Sequence, residues 1–223
     1  MGDAFRKRGH QVFAVDNFVM FGGDIPTEVY EKTDLIADIK ELTADDILRR
    51  FGRPDVIWAS PPCTKFSVAS IGRHWIKGTN LPKTEEAAEA VELVRHTIRL
   101  VLALKPRFFF IENPRGKLRK LNFMLEMPRY TVTYCQYGDD RMKPTDIWTN
   151  HGNPGFKPMC NYGDPCHVSA PRGSKTGTQG RQRNVLRSLI PEALCEHIVD
   201  LCEEPEPGAV QRALLETARC SYG

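Results

Sequence analysis

Two short blocks of this 223-residue chain carry residue types that do chemistry: Pro61-Pro62-Cys63 and, about fifty residues on, Glu112-Asn113-Pro114. Each closes an apolar run, Val56-Ile57-Trp58-Ala59 before the first and Phe108-Phe109-Phe110-Ile111 before the second. A cysteine and a carboxylate therefore stand at two predicted strand ends. In an open α/β sheet, ligands bind at the carboxyl ends of parallel strands, which would turn both groups toward one crevice despite their separation in sequence. A thiolate is a strong nucleophile and a good leaving group. Paired with an acid, it can add to an electron-poor ring while the carboxyl group keeps a ring nitrogen protonated, which makes a neighbouring carbon nucleophilic. Either block alone is weak, because a buried small thiol is common and Asn-Pro simply marks a turn. Their joint occurrence at successive strand ends points to chemistry.

Cytosine is a ring of that kind, and the chain resembles the DNA cytosine-5 methyltransferases. The resemblance rests on Pro62-Cys63-Thr64-Lys65-Phe66-Ser67, on Glu112-Asn113-Pro114, and on Gln136-Tyr137-Gly138-Asp139-Asp140-Arg141-Met142-Lys143, which stand in the family's order. It covers roughly residues 1 to 150 and a C-terminal helix. It implies Cys63 as the nucleophile that adds to C6, Glu112 on the N3 and amino edge, and Arg141 on the base oxygen. Lys143 stands where the family has a second arginine beside a phosphate, keeping the charge but not the planar fork. Ser67, in the nucleophile loop, is read as a DNA contact. S-adenosylmethionine is the implied cofactor, held by Asp16 and Asp38 at the ends of two strands and by Pro62. The implied partner is double-stranded DNA, with the target base swung out of the stack at a cost of roughly a few kcal/mol.

The elements that must position these groups alternate. A helix over Asp3 to Arg8 closes at Gly9, and strands are expected at Gln11 to Val15 and Leu35 to Ala37. Thr43 caps a helix that runs to Gly52, with Asp45 and Asp46 in its first turn. Thr84 opens the longest helix, apolar at Ala87, Val91, Val94, Ile98 and Val101 and stopped by Pro106. A basic helical stretch, Lys117 to Met124, a half-buried strand, Thr131 to Gln136, and its partner, Asp146 to Thr149, follow. This order predicts an α/β, mostly parallel, Rossmann-like sheet with helices on both faces. The family's first strand and its Phe-x-Gly-x-Gly loop have no counterpart after Met1, which sets up the expectation of a truncated start. Against the DNA enzyme stand a catalytically weak DNA-binding relative that has lost the cofactor loop and, given so short a recognition insert, an enzyme acting on RNA or nucleotides.

Composition fits one catalytic domain. With 41% hydrophobic and 26% charged residues the chain can build an ordinary core, and a net charge of +3 does not by itself demand nucleic acid. Seven cysteines without framework spacing, and no signal peptide, place it in a reducing compartment, read as the cytoplasm of a bacterial or phage-infected cell. No apolar run approaches the roughly 20 residues that span a bilayer. The organisation read from the chain is a catalytic domain over 1–150, a loop-rich recognition insert over 151–183, a closing helix over 184–204, and a linker and tail over 205–223, in a monomer. The insert carries Arg172, Lys175, Arg181 and Arg183 among glycines and hydroxyls, a pattern suited to following phosphates. Cys160, Cys166 and His167 could supply zinc ligands. Their spacing is not that of a common finger, and an adjacent Cys-His pair is awkward for one tetrahedral ion, so no metal ligand is assigned.

Overall fold

Capping residues start the helices where the sequence places them. Thr43 Oγ1 accepts from Asp46 N while Asp46 returns a carboxylate oxygen to Thr43 N, a capping box that opens the helix Ala44–Phe51, which ends at Gly52 with φ 78. Thr84 Oγ1 likewise accepts from Ala87 N and opens the 20-residue helix Glu85–Leu104, which stops in left-handed Lys105, one residue before Pro106. The structure, a computed structural model, describes residues 1–19, 25–161, 163–168 and 188–204. In chain order these hold α1 (Gly2–Lys7), β1 (Val15–Asp16), α2 (Thr27–Glu31), β2 (Leu35–Ile36), α3 (Ala44–Phe51), β3 (Val56–Ala59), α4 (Ile71–His74) and α5 (Glu85–Leu104). Then come β4 (Phe108–Pro114), α6 (Asn122–Leu125), β5 (Arg129–Thr133), β6 (Pro144–Thr149) and α7 (Glu192–Glu203).

The main sheet has the order β3-β4-β6-β5, with β3 parallel to β4 and β6 antiparallel to both its neighbours, so three of its four strands run the same way. β1 and β2 pair in parallel as a separate two-stranded sheet. Among the described residues no ladder joins the two sheets. Alternation along the strands divides the core. Phe110 and Ile147 face α1 and α7, packing with Phe5, Tyr134, Leu194 and Ile198. Ile111 and Trp148 face the other way, against Val94 of α5, Phe66, Trp75 and Leu118. Helices thus cover both faces.

Three elements are shorter than their sequence suggests. β1 shrinks to Val15–Asp16, because among the described residues it pairs with β2 alone. The basic stretch 117–124 divides into a 3₁₀ turn, Leu118–Lys120, and α6, since Leu118, Leu121 and Met124 are all drawn into one apolar cluster. The expected strand Thr131 to Gln136 bends after Thr133 into a 3₁₀ turn, Tyr134–Tyr137, closed by Gly138 at φ 85. No helix among the described residues is long and apolar enough to cross a membrane.

Candidate active site

The parallel pairing of β3 with β4 sets Ala59 beside Ile111, so the chain leaves β3 toward Cys63 next to Glu112 and Asn113. One hydrogen bond ties the two blocks together: the Asn113 side-chain amide, wholly buried, donates to the Pro61 carbonyl at 2.8 Å. Cys63 then turns tightly, its carbonyl accepting from both Phe66 N and Ser67 N at 3.0 Å. That turn is held from the other side by the segment after β4. Lys117 N donates to the Phe66 carbonyl at 2.7 Å, Ser67 bridges Gly116, and Trp75 Nε1 donates to the Lys65 carbonyl at 2.7 Å. Gly116 is needed there because a Cβ would lie 2.2 Å from the Phe66 oxygen. The nucleophile loop is thus clamped to the Glu-Asn-Pro strand at two places, through Asn113 and through Gly116.

Glu112 shares its face of the sheet with Phe110 and Ile147 and is buried. Burial pushes its carboxyl above the ordinary range, and the Lys143 charge and hydrogen bonds from Tyr134 and Ser60 offset this only in part. The Tyr134 hydroxyl donates to Glu112 Oε1 at 3.2 Å. Lys143, with φ 26, lies over the Tyr134 ring at 4.4 Å. Burial lowers its ammonium, opposed by the charge of Glu112, assisted by Arg141 and opposed again by Cys63. Lys143 thus lies against Tyr134, the hydrogen-bond partner of Glu112.

Arg141, which the resemblance sets on the base oxygen, has its guanidinium carbon 5.7 Å from the centroid of the Tyr134 ring. Only 1% exposed, it is taken up by Asp139: Nε donates to Oδ1 at 2.7 Å, Nη2 donates to Oδ2, and Nη2 also reaches the Leu189 carbonyl at 3.3 Å. Against burial, which raises it, the guanidinium holds the Asp139 carboxyl down at about 2. The pair braces the segment that carries Lys143 back over Tyr134.

At the other strand ends Asp16 closes β1 opposite Ile36, and Asp38 stands two residues beyond Ile36 on the neighbouring strand. Each carboxylate is oriented by a local bond, Oδ1 of Asp16 accepting from Phe18 N at 2.6 Å and Oδ1 of Asp38 from Lys40 N at 2.9 Å. Pro62 is exposed at the crest of the nucleophile loop. Ser67 Oγ lies 3.1 Å from Ser70 Oγ, within the turn. Arg172, Lys175, Arg181 and Arg183 lie outside the described residues. The structure thus places Cys63, Glu112 and Lys143 around one pair of strand ends and Asp16 and Asp38 on the separate two-stranded sheet and the turn that follows it. It adds Ser60, Asn113, Gly116 and Tyr134, which sequence reasoning leaves unassigned. All four stand within two residues of a motif, and nothing in a single sequence separates a clamping glycine from a turn glycine.

The family profile described as C-5 cytosine-specific DNA methylase matches residues 26–125. The probable DNA (cytosine-5)-methyltransferase of Frog virus 3 (isolate Goorha) is 32% identical over 167 residues, covering 66% of this chain and 75% of the viral protein. Among solved structures, a putative DNA modification methyltransferase encoded within an E. coli prophage aligns at TM-score 0.46 and 18% identity, over 75% of this chain and 52% of that one. Spodoptera frugiperda DNMT2 aligns at 0.41 and 18%, over 66% of this chain and 44% of that one. The chain spans about half the length of these solved proteins.

Proposed function

Because the chain belongs to the C-5 cytosine-specific DNA methylase family, we propose that it transfers a methyl group from S-adenosylmethionine to C5 of cytosine in DNA through a covalent adduct on Cys63. The observation that carries this reading is the bond from Asn113 to the Pro61 carbonyl, which fixes the thiol loop against the buried Glu112. With the target base flipped into the crevice, the Cys63 thiolate adds to C6, and the neighbouring Lys143 cation lowers the cost of that thiolate. The thiolate lone pair forms the C6–S bond and the C5–C6 π pair moves to C5, which takes up the methyl group and becomes tetrahedral. Glu112, whose carboxyl burial pushes above the ordinary range, is the group set to share a proton with N3, so that the ring does not accumulate negative charge. Tyr134 and Ser60 orient that carboxyl group. Loss of the C5 proton to a base and departure of Cys63 restore the aromatic ring.

Asp16 and Asp38 fit the polar end of the cofactor, since two oriented carboxylates at adjacent strand ends can accept from ribose hydroxyls and an amino group. Bound there, S-adenosylmethionine supplies an electrophilic methyl group. The Phe-x-Gly-x-Gly loop expected at its other end does not occur within these 223 residues.

A duplex carrying 5-fluorocytosine tests the covalent step, because fluorine on C5 cannot leave as a proton does. With cofactor present, the chain is expected to form an adduct stable to denaturing electrophoresis, and Cys63→Ala is expected to form none. Methyl transfer by Cys63→Ala would overturn the mechanism.

A further inference from the structure

Behind the 3₁₀ turn that follows β5, on residues the proposed reaction does not use, three sulfurs and an imidazole converge. Cys135 Sγ lies 3.1 Å from Cys160 Sγ and 3.5 Å from Cys166 Sγ, while His167 Nδ1 lies 3.7 Å from Cys160 Sγ and 3.6 Å from Cys166 Sγ. All four donor atoms fall within 4.8 Å of one another. Cys135 and Cys160 are buried, and Cys166 and His167 are half-buried.

Neither ordinary packing nor a disulfide accounts for this. Non-bonded heavy atoms prefer about 3.5–4.0 Å, so sulfurs at 3.1 Å are crowded. A disulfide requires about 2.05 Å. Four ligands arranged tetrahedrally around one ion, at about 2.3 Å for sulfur and about 2.0 Å for nitrogen, stand roughly 3.5–3.8 Å apart. The two sulfur–nitrogen separations and one of the sulfur–sulfur separations match that spacing.

We infer that Cys135, Cys160, Cys166 and His167 bind one zinc ion as a closed tetrahedral Cys₃His site. Thiolate and imidazole donors in a tetrahedral frame select zinc over harder cations, and four protein ligands leave no open position, which makes the site structural. The backbone around it is built to hold the donors. Cys160 N donates to the buried Thr133 Oγ1 at 3.0 Å, Asn161 N donates to Asp164 Oδ2 at 2.6 Å, and Val168 N donates to the Asp140 carbonyl at 2.9 Å. The adjacent Cys166-His167 pair, awkward on paper, reaches one point because the sulfur and Nδ1 turn inward together from a bend. The missing ligand was Cys135, 25 residues before Cys160. The ion would anchor residues 160–168, the approach to the basic segment 172–183, onto the strand that leads to Lys143.

Metal analysis of the full 223-residue chain, purified without chelator, tests this directly. The expected result is about one zinc per chain, released in step with mercurial titration of three thiols. Cobalt replacement is expected to produce thiolate-to-cobalt charge-transfer absorption with the intense d–d bands of a tetrahedral ion. Cys135→Ser, Cys160→Ser and Cys166→Ser should each lower zinc content at least about tenfold, whereas Cys195→Ala retains it. If the serine variants do not fold, the cobalt spectrum of the unsubstituted chain decides. A folded chain that holds no zinc and shows no such spectrum, or a Cys135–Cys160 disulfide in the intact mass, would overturn the site.

Discussion

Gly116→Ala is the most informative single change in the protein, because its effect on the nucleophile can be worked out from one distance. The added methyl would sit 2.2 Å from the Phe66 carbonyl oxygen and 3.1 Å from its carbon, both backbone atoms that no side-chain rotation can move aside. Ordinary contact begins near 3.4 Å, so the two segments must part by about 1 Å. Parting them breaks or stretches the bond from Lys117 N to the Phe66 oxygen and shifts the turn whose first carbonyl belongs to Cys63. A displacement of about 1 Å at a reacting group costs on the order of 10²-fold in rate. The strain itself costs about 1–3 kcal/mol, and a domain of ordinary stability survives that loss. The assay pairs single-turnover methyl transfer on duplex DNA with urea unfolding. The expected outcome is a folded chain whose rate, and whose 5-fluorocytosine adduct yield, fall on the order of 10²-fold. Gly72→Ala serves as control, since a Cβ there meets nothing within 4 Å. A Gly116→Ala chain that methylates at the parent rate would refute the idea that this contact sets the position of Cys63.

Glu112→Gln is expected to lower methyl transfer by at least about 10²-fold, since the amide cannot hand a proton to N3. It also changes stability in a predictable direction. The folded-state value of Glu112 is raised by burial, so its contribution is full below the unfolded carboxylate value and is lost as pH rises through the folded one. The Gln variant should therefore lack this decline and unfold later than the parent at neutral pH, as thermal melts at several pH values will show. Arg141→Ala leaves Asp139 without its guanidinium partner in a pair whose side chains are 2% and 10% exposed. Its expected cost is about 3–5 kcal/mol of stability by urea unfolding, and the Asp139→Asn, Arg141→Ala double variant should recover part of it. Neutralising two of Arg172, Lys175, Arg181 and Arg183 should reduce the log–log salt slope of duplex binding by about two units, and an unchanged slope would place the DNA path elsewhere.

The parts of the site that read directly from the chain are those where local pattern and function coincide. Val56–Ala59 and Phe108–Ile111 are apolar runs ending in turn residues, so both strands, and the placing of Cys63 and Glu112 at their ends, were visible. The caps at Thr43 and Thr84 were equally plain, because a capping interaction spans three residues. What stayed hidden depends on register. Asn113 looked like half of an Asn-Pro turn, and only the pairing of Ala59 with Ile111 brings its amide under the Pro61 carbonyl. Tyr134 sits in what reads as the middle of a strand, and it meets Glu112 because the strand bends there. Lys143 and Arg141 are two residues apart, and the sequence ranked Arg141 first. Both lie over the Tyr134 ring, Lys143 at 4.4 Å and Arg141 at 5.7 Å with Asp139 bound to its guanidinium, an arrangement that depends on the bend after β5.

The sulfur cluster makes the same point more sharply. Cys160, Cys166 and His167 failed as a ligand set when judged by spacing alone, and the objection was sound for three residues in one loop. The fourth donor lies across the fold, where β5 ends and the chain turns. Spacing rules describe sites whose ligands all sit on short local segments. A site that ties a loop to a sheet must draw at least one ligand from outside that loop, because a set confined to the loop would fix the loop only to itself. Cys135 beside Thr133, whose hydroxyl accepts from Cys160 N, meets that requirement. The proposed metal site and the nucleophile loop thus share one principle: each segment is held by a group on or just beyond a strand, Cys135 after β5 in one case and Asn113 of β4 in the other.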